Sequence, residues 1–219
     1  MTSVFSLLGH PYGVPESRAA ALEQVLEHSR ELGFLGPGPS VFHVEHALMT
    51  VSLSPERGQL LDLGSGGGVP GLVVAVARPE LEVVLLDAMA KRCDFLAESV
   101  HLMGLTDQVS VQHGRAEVLA RRPDLRGQFD VVTARSFGPP AATAECSSGF
   151  LRVDGRLLVS EPPEDDPSRW PAGPLFGLGL ELVGRHSDDR STVAEFRQTE
   201  LCSPEIPRRD GVPAKKPRW

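Results

Sequence analysis

Apolar positions first recur at helical spacing, at Ala19, Leu22 and Leu26, with Glu23, Glu27 and Arg30 between them, and the pattern predicts an amphipathic helix over residues 16–32. A glycine- and proline-rich break, GFLGPGPS at 33–40, precedes a second expected helix over 41–53. The pattern then changes. Short apolar runs at 59–63, 82–86, 109–112, 129–134 and 156–160 read as strands, and helices are expected between them over 70–77, 91–103 and near 141–151. In the middle one, Leu96, Val100 and Met103 keep helical spacing and Gly104 ends it. Runs at 180–186 and 192–201, joined by the polar segment 187–190, read as an antiparallel hairpin. Strand–helix alternation of this kind builds right-handed β-α-β units, so the expected fold is α/β, a seven-stranded mostly parallel sheet with helices on both faces. The expected organisation is an N-terminal helical extension over 1–55, a main domain over 56–203 and a tail over 204–219.

Composition narrows the classes. The 219 residues are 41% hydrophobic, enough for one full core. A net charge of −7 argues against a protein that coats nucleic acid along its whole surface, but the charge is uneven. The last sixteen residues carry Arg208, Arg209, Lys215, Lys216 and Arg218 against Glu205 and Asp210, which leaves the remainder at −10. Cys93, Cys146 and Cys202 lie more than fifty residues apart, form no C-x-x-C pair and suit a reducing compartment, so a cytoplasmic location is expected. The N-terminus lacks a basic n-region, its apolar run is interrupted by Ser6, Gly9, His10 and Pro11, and no run of apolar residues is long enough to cross a membrane.

The chemistry concentrates at DLGSGGG, an acid at a strand end followed by Gly64, Gly66 and Gly68. Glycines there let the loop turn tightly and bring backbone N–H groups close to a ligand. Asp87 follows nineteen residues after Gly68, at the end of the second strand, where a carboxylate can accept from both hydroxyls of a ribose. Residues 66–71 also satisfy the dinucleotide pattern G-x-G-x-x-G, but Asp62 would repel a pyrophosphate and would suit the ammonium group of a methionine moiety. The sign of that charge favours S-adenosylmethionine over NAD. Ala116 and Glu117, in the GRAE segment after the third strand, are placed to wall an adenine, and Arg135 ends the fourth strand where side chains face the ligand crevice.

Five parallel strands closed by a hairpin is the arrangement of class I methyltransferases, whose sheet is Rossmann-like. The residues from LLDLGSGGGVPG through HGRAE, FDVVTARSF and GRLLV to the terminal PRRDGVPAKKP resemble the bacterial small-subunit ribosomal RNA methyltransferase G family, also called glucose-inhibited division protein B. The resemblance implies transfer of a methyl group from S-adenosylmethionine to N7 of a guanosine in 16S rRNA. It also implies cofactor contacts at Gly64, Val69, Ala116, Glu117 and Arg135, with Asp87 on the ribose. The chain departs from the family pattern at Glu45, Met49 and Thr50, where the family has Arg-His followed by Asp-Ser. It departs again at Glu161–Pro162, where the family usually carries Lys-Gly.

Guanine N7 offers a lone pair and no proton, so no catalytic base is expected. No metal site is expected either: His43 and His46 stand three apart without a third ligand and read as surface or packing residues. Arg135, Arg208, Arg209, Lys215 and Lys216 are the expected RNA contacts, with Trp219 available for stacking. Glu161 is expected to place a repulsive charge beside the substrate, so that Glu161→Lys would strengthen RNA binding. The expected partner is ribosomal RNA or the small ribosomal subunit, with the oligomeric state open. Two alternatives stay open as well: a related methyltransferase acting on another RNA or a small molecule, and a non-catalytic S-adenosylmethionine-binding module.

Overall fold

The computed structural model describes residues 2–219. Its sheet has seven strands in the order β3-β2-β1-β4-β5-β7-β6. β1 (Gly58–Leu63), β2 (Leu81–Asp87), β3 (Val109–His113), β4 (Phe129–Ala134) and β5 (Leu151–Glu161) run parallel, and β7 (Thr192–Gln198) and β6 (Leu180–Ser187) join antiparallel beyond β5. Because side chains alternate across a strand, Leu60, Val83, Val131 and Leu158 face one layer of core while Leu61, Val132, Leu157 and Val159 face the other.

The first layer is covered by α1 (Val4–Tyr12), α2 (Glu16–Glu31), α3 (Ser40–Leu53), α4 (Gly71–Ala77) and α5 (Ala90–Leu102). Val4, Leu8, Leu22, Leu26, Val44 and Val51 are fully buried there, so the N-terminal helices share one core with the sheet. The second layer is covered by α6 (Ala116–Leu119), α7 (Pro140–Ser148), α8 (Ala172–Phe176) and the C-terminal segment with α9 (Val212–Lys215).

Three elements differ from the sequence expectation. Residues 4–12 form a separate first helix in the N-terminal extension, for which no bounds were expected; Ser3 and Ser6 make a reciprocal capping box at its start and Gly13, at φ 67°, closes its end. β5 starts at Leu151, five residues early, because Leu151 pairs with Phe129 before the ladder slips to Arg156 opposite Val131. β7 stops at Gln198, whose buried amide donates to the carbonyls of Leu178 and Glu200 and turns the chain there. Among the described residues no helix is long and apolar enough to cross a membrane.

Candidate cofactor and acceptor site

The carboxyl ends of the parallel strands meet at one edge of the sheet, where a doubly wound fold collects its ligands. The loop after β1 is held to β2 by the amides of Gly64 and Ser65, both donating to the Leu86 carbonyl at 2.8 and 2.9 Å. Gly64, Gly66 and Gly68 have φ of 74°, 53° and 95°, the left-handed region that favours glycine. Gly64 has a second reason to lack a side chain: a Cβ there would stand 2.8 Å from the ring of Phe137.

Asp87 closes β2 and ties this loop down. Its Oδ2 accepts from the Gly66 amide and its Oδ1 from the Met89 amide, both at 2.9 Å, and the Arg92 guanidinium lies 3.7 Å away. Asp62 sits beneath the loop rather than facing outward. It is 1% exposed and accepts from the Gly71 amide at 3.1 Å and the Thr133 hydroxyl at 2.8 Å. Burial pushes its carboxyl up to about 6, a rise moderated by those hydrogen bonds and by the charge of Arg135. The expected direct meeting of Asp62 with an ammonium group is therefore replaced by an influence through the loop.

Val69 is buried against a cavity of about 160 Å³ over the glycine loop, which Phe34, Arg92 and Arg135 also line. The N-terminal segment roofs it. The Ser29 hydroxyl donates to the Gly67 carbonyl at 3.0 Å, and Phe34 stacks edge-on to Phe95 while carrying Arg92 over its face. A second cavity, of about 360 Å³, opens between the ends of β4 and β5, and the two share Arg135 and Ser136. Ser136 takes φ 55°, a strained conformation for a residue with a side chain.

Arg135 is held by a histidine that the sequence placed on the surface or in packing. Its Nη2 donates to His43 Nδ1 at 3.0 Å, and His43 Nε2 donates to the Gly36 carbonyl at 3.2 Å. Burial, then the Arg135 charge, lowers the pKa of His43, which fits an imidazole that accepts on Nδ1. His46 lines the larger cavity, and burial with the Arg135 charge lowers its pKa as well. Arg135 Nη1 and Arg92 Nε are buried and have no hydrogen-bond partner among the described residues. Neither His43 nor Arg92 carries a sequence signal, since each is defined by a partner far along the chain.

Ala116 opens α6, and Glu117 behind it is buried, accepting from the Gly211 amide at 3.0 Å and from Arg115 at 3.3 Å. The tail thus touches the strand edge, but not as a free basic arm. Arg208 is engaged by Glu145, fully buried on α7, through its amide, Nε and Nη2 at 2.6–3.1 Å, and Arg218 reaches the same carboxylate at 3.2 Å. Trp219 donates to the Arg169 carbonyl at 2.9 Å and packs on Trp170, so it is no open stacking platform. These contacts correct the expectation for Arg208 and Trp219: an arginine bound side-on by a buried carboxylate belongs to the fold. Arg209, Lys215 and Lys216 remain exposed and outside any ion pair among the described residues. Glu161 is corrected too, since Arg169 and Trp170 engage its carboxylate completely. Among the described residues no group of three metal-ligating side chains is clustered.

Residues 41–162 match the sequence profile of the family described as rRNA small subunit methyltransferase G. The chain belongs to that family. A methyltransferase G of Thermotoga neapolitana is 32% identical over 204 residues, 90% of this chain and 88% of that protein. Another, from Lactobacillus delbrueckii subsp. bulgaricus, is 32% identical over 169 residues, 74% of this chain and 70% of that one. Among solved structures, an O-methyltransferase from Bacillus cereus in complex with SAH superposes with a TM-score of 0.58 at 14% identity, covering 89% of this chain and 97% of its own; that likeness is one of fold. This methyltransferase G family member has the class I methyltransferase fold, and it is an S-adenosylmethionine-dependent methyltransferase.

Proposed function

We propose that the chain methylates N7 of a guanosine in 16S rRNA, with the methionine end of the cofactor in the cavity over the glycine loop, its nucleoside beside Asp87, Ala116 and Glu117 outside that cavity, and the base in the cavity between β4 and β5. The observation that carries this reading is the pair of cavities joined at Arg135 and Ser136. The residues fit the cofactor's chemistry. Arg135 Nη1 and Arg92 Nε are buried donors without acceptors among the described residues, which is costly unless an anionic group completes them, and the methionine carboxylate is such a group. Gly64, Gly66, Gly68, Val69 and Arg135 would hold the methionine end over the buried Asp62, Asp87 the ribose, and Ala116 and Glu117 the adenine. When bound, the cofactor supplies an electrophilic methyl group on a sulfonium.

The protein's own contribution is alignment and exclusion of water. The acceptor nitrogen presents a lone pair and needs no deprotonation, so no side chain has to move a proton. Holding two reactants in line can lower a barrier by about 7–11 kcal/mol without acid–base help. Phe34 and Val69 would keep water from the region around the loop, and Arg135, braced by His43, stands on the wall that the two cavities share. Ribosomal RNA in the small subunit is the partner on this reading, met by Arg209, Lys215 and Lys216 at the rim.

Nucleoside mass spectrometry of 16S rRNA from cells lacking the gene tests it. The expected result is loss of one 7-methylguanosine, restored by the wild-type chain and more slowly by Asp87→Ala. That variant removes the acceptor of two loop amides and should weaken cofactor binding by about 1–3 kcal/mol. Unchanged 16S nucleosides after deletion would overturn the reading.

A further inference from the structure

The acceptor cavity is lined by four titratable side chains, those of His46, Arg135, Glu161 and Arg169. Glu161, with its side chain 2% exposed, is saturated: Oε2 accepts from Arg169 Nε at 2.8 Å and Trp170 Nε1 at 3.0 Å, and Oε1 accepts from Arg169 Nη2 at 3.0 Å. The guanidinium is therefore gripped along its Nε–Nη2 side. Its other edge, formed by Nη1 and the second hydrogen of Nη2, makes no hydrogen bond among the described residues, and the side chain is 31% exposed. The backbone is fixed as well, because the Arg169 carbonyl accepts from Trp219 and the neighbouring Trp170 packs on Phe196 at 4.6 Å. Arg135 bonds His43 through Nη2 and lies deeper, while burial and the Arg135 charge lower the pKa of His46. The Glu161–Arg169 pair thus leaves, on a residue that lines the cavity, a pre-positioned fork of donors, the shape that receives two oxygens of one phosphate.

We propose that Arg169 binds a phosphate of the acceptor RNA strand beside the base to be methylated, and that Glu161 is its positioning residue. This rests on the reading that RNA is the acceptor. It reverses the consequence of charge counting: Glu161→Lys makes the cavity more positive, yet it removes the carboxylate that aims Arg169 and sets two cations against each other.

The test is equilibrium binding of the full chain to small ribosomal subunits lacking the modification, over a series of salt concentrations, together with the KM and kcat of transfer. Arg169→Ala should weaken binding and raise KM about tenfold, with a smaller change in kcat, as loss of one charge-assisted contact implies. The logarithmic salt slope should shrink by about 0.7, the share of one phosphate on a single strand. Arg169→Lys should recover little, because one ammonium cannot hold Glu161 and a phosphate together. Glu161→Lys should also weaken binding. Cofactor affinity and thermal melting serve as folding controls, and if Glu161→Lys does not fold, the two Arg169 variants decide. An Arg169→Ala chain with wild-type KM and salt slope overturns the proposal, and so does tighter RNA binding by a folded Glu161→Lys. A wild-type chain that binds subunits but transfers no methyl group overturns the functional reading alone, whereas one that binds no RNA overturns both.

Discussion

Asp62 shows how one buried carboxylate links the fold to the cofactor. Its pKa stands at about 6 because burial disfavours the charge. A cationic ligand over the loop favours the ionised form, so the bound state has the lower pKa and binding releases a proton in the acid range. S-adenosylmethionine affinity is therefore expected to rise as pH is raised through 6 and to level off above it. Asp62→Asn should flatten that rise, whereas His43, whose protonation would place a hydrogen against Arg135, should leave its own acid limb in the variant. Calorimetry between pH 5 and 8 checks this, and a flat wild-type profile would sink it. At this scale the left-handed turns at Gly64, Gly66 and Gly68 were legible in the sequence, since such turns favour glycine, whereas the two backbone amides that Asp87 accepts were not. Glu161 was not: a cation eight residues later neutralises it, and nothing in a linear charge count tells a repulsive carboxylate from a saturated one.

At the scale of elements, two contacts bind separate parts of the chain to the site. α2 presses on the glycine loop so closely that a Cβ on Gly67 would stand 2.4 Å from Ser29 Oγ and 2.7 Å from Leu35. Gly67→Ala should destabilise the protein by about 1–3 kcal/mol, the usual cost of overpacking, and weaken cofactor binding more than Ser29→Ala does. The C-terminal strap is the second. Burial alone would raise the pKa of Glu145, but hydrogen bonds from Arg208 and the charges of Arg208 and Arg218 outweigh it and hold the group below its ordinary value. Its stabilising contribution is thus complete above the ordinary glutamate range and is lost as pH falls through the depressed folded value. Glu145→Ala should cost about 3 kcal/mol, the low end for breaking a buried pair because both arginines are partly exposed to water, and denaturant melts at pH 7 would show it. The strand–helix alternation of the main sheet could be read from apolar runs. The strap could not, because its partners lie 63 and 73 residues apart, and the N-terminal helix was masked by Gly9 and Pro11.

Over the whole molecule, a body of net negative charge carries in its last eleven residues three exposed cations, Arg209, Lys215 and Lys216, outside any ion pair among the described residues. Replacing Arg209, Lys215 and Lys216 by Ala should flatten the salt dependence of RNA binding by as much as about 2 in logarithmic slope, and should leave cofactor affinity unchanged. Arg208 has to be spared in that experiment, since its loss would loosen the strap. The family match spans the sheet from α3 to the end of β5, where the glycine loop and Arg135 reside, and outside it lie the C-terminal residues that brace the acceptor wall. The most direct test of the central claim is transfer of labelled methyl groups from S-adenosylmethionine by the purified chain to small subunits lacking the modification, followed by digestion to nucleosides. The expected result is close to one label per 16S rRNA, recovered as 7-methylguanosine and slowed by Asp87→Ala when the cofactor is below saturation. Label in a different nucleoside, or none from a chain that binds both cofactor and subunits, would contradict it.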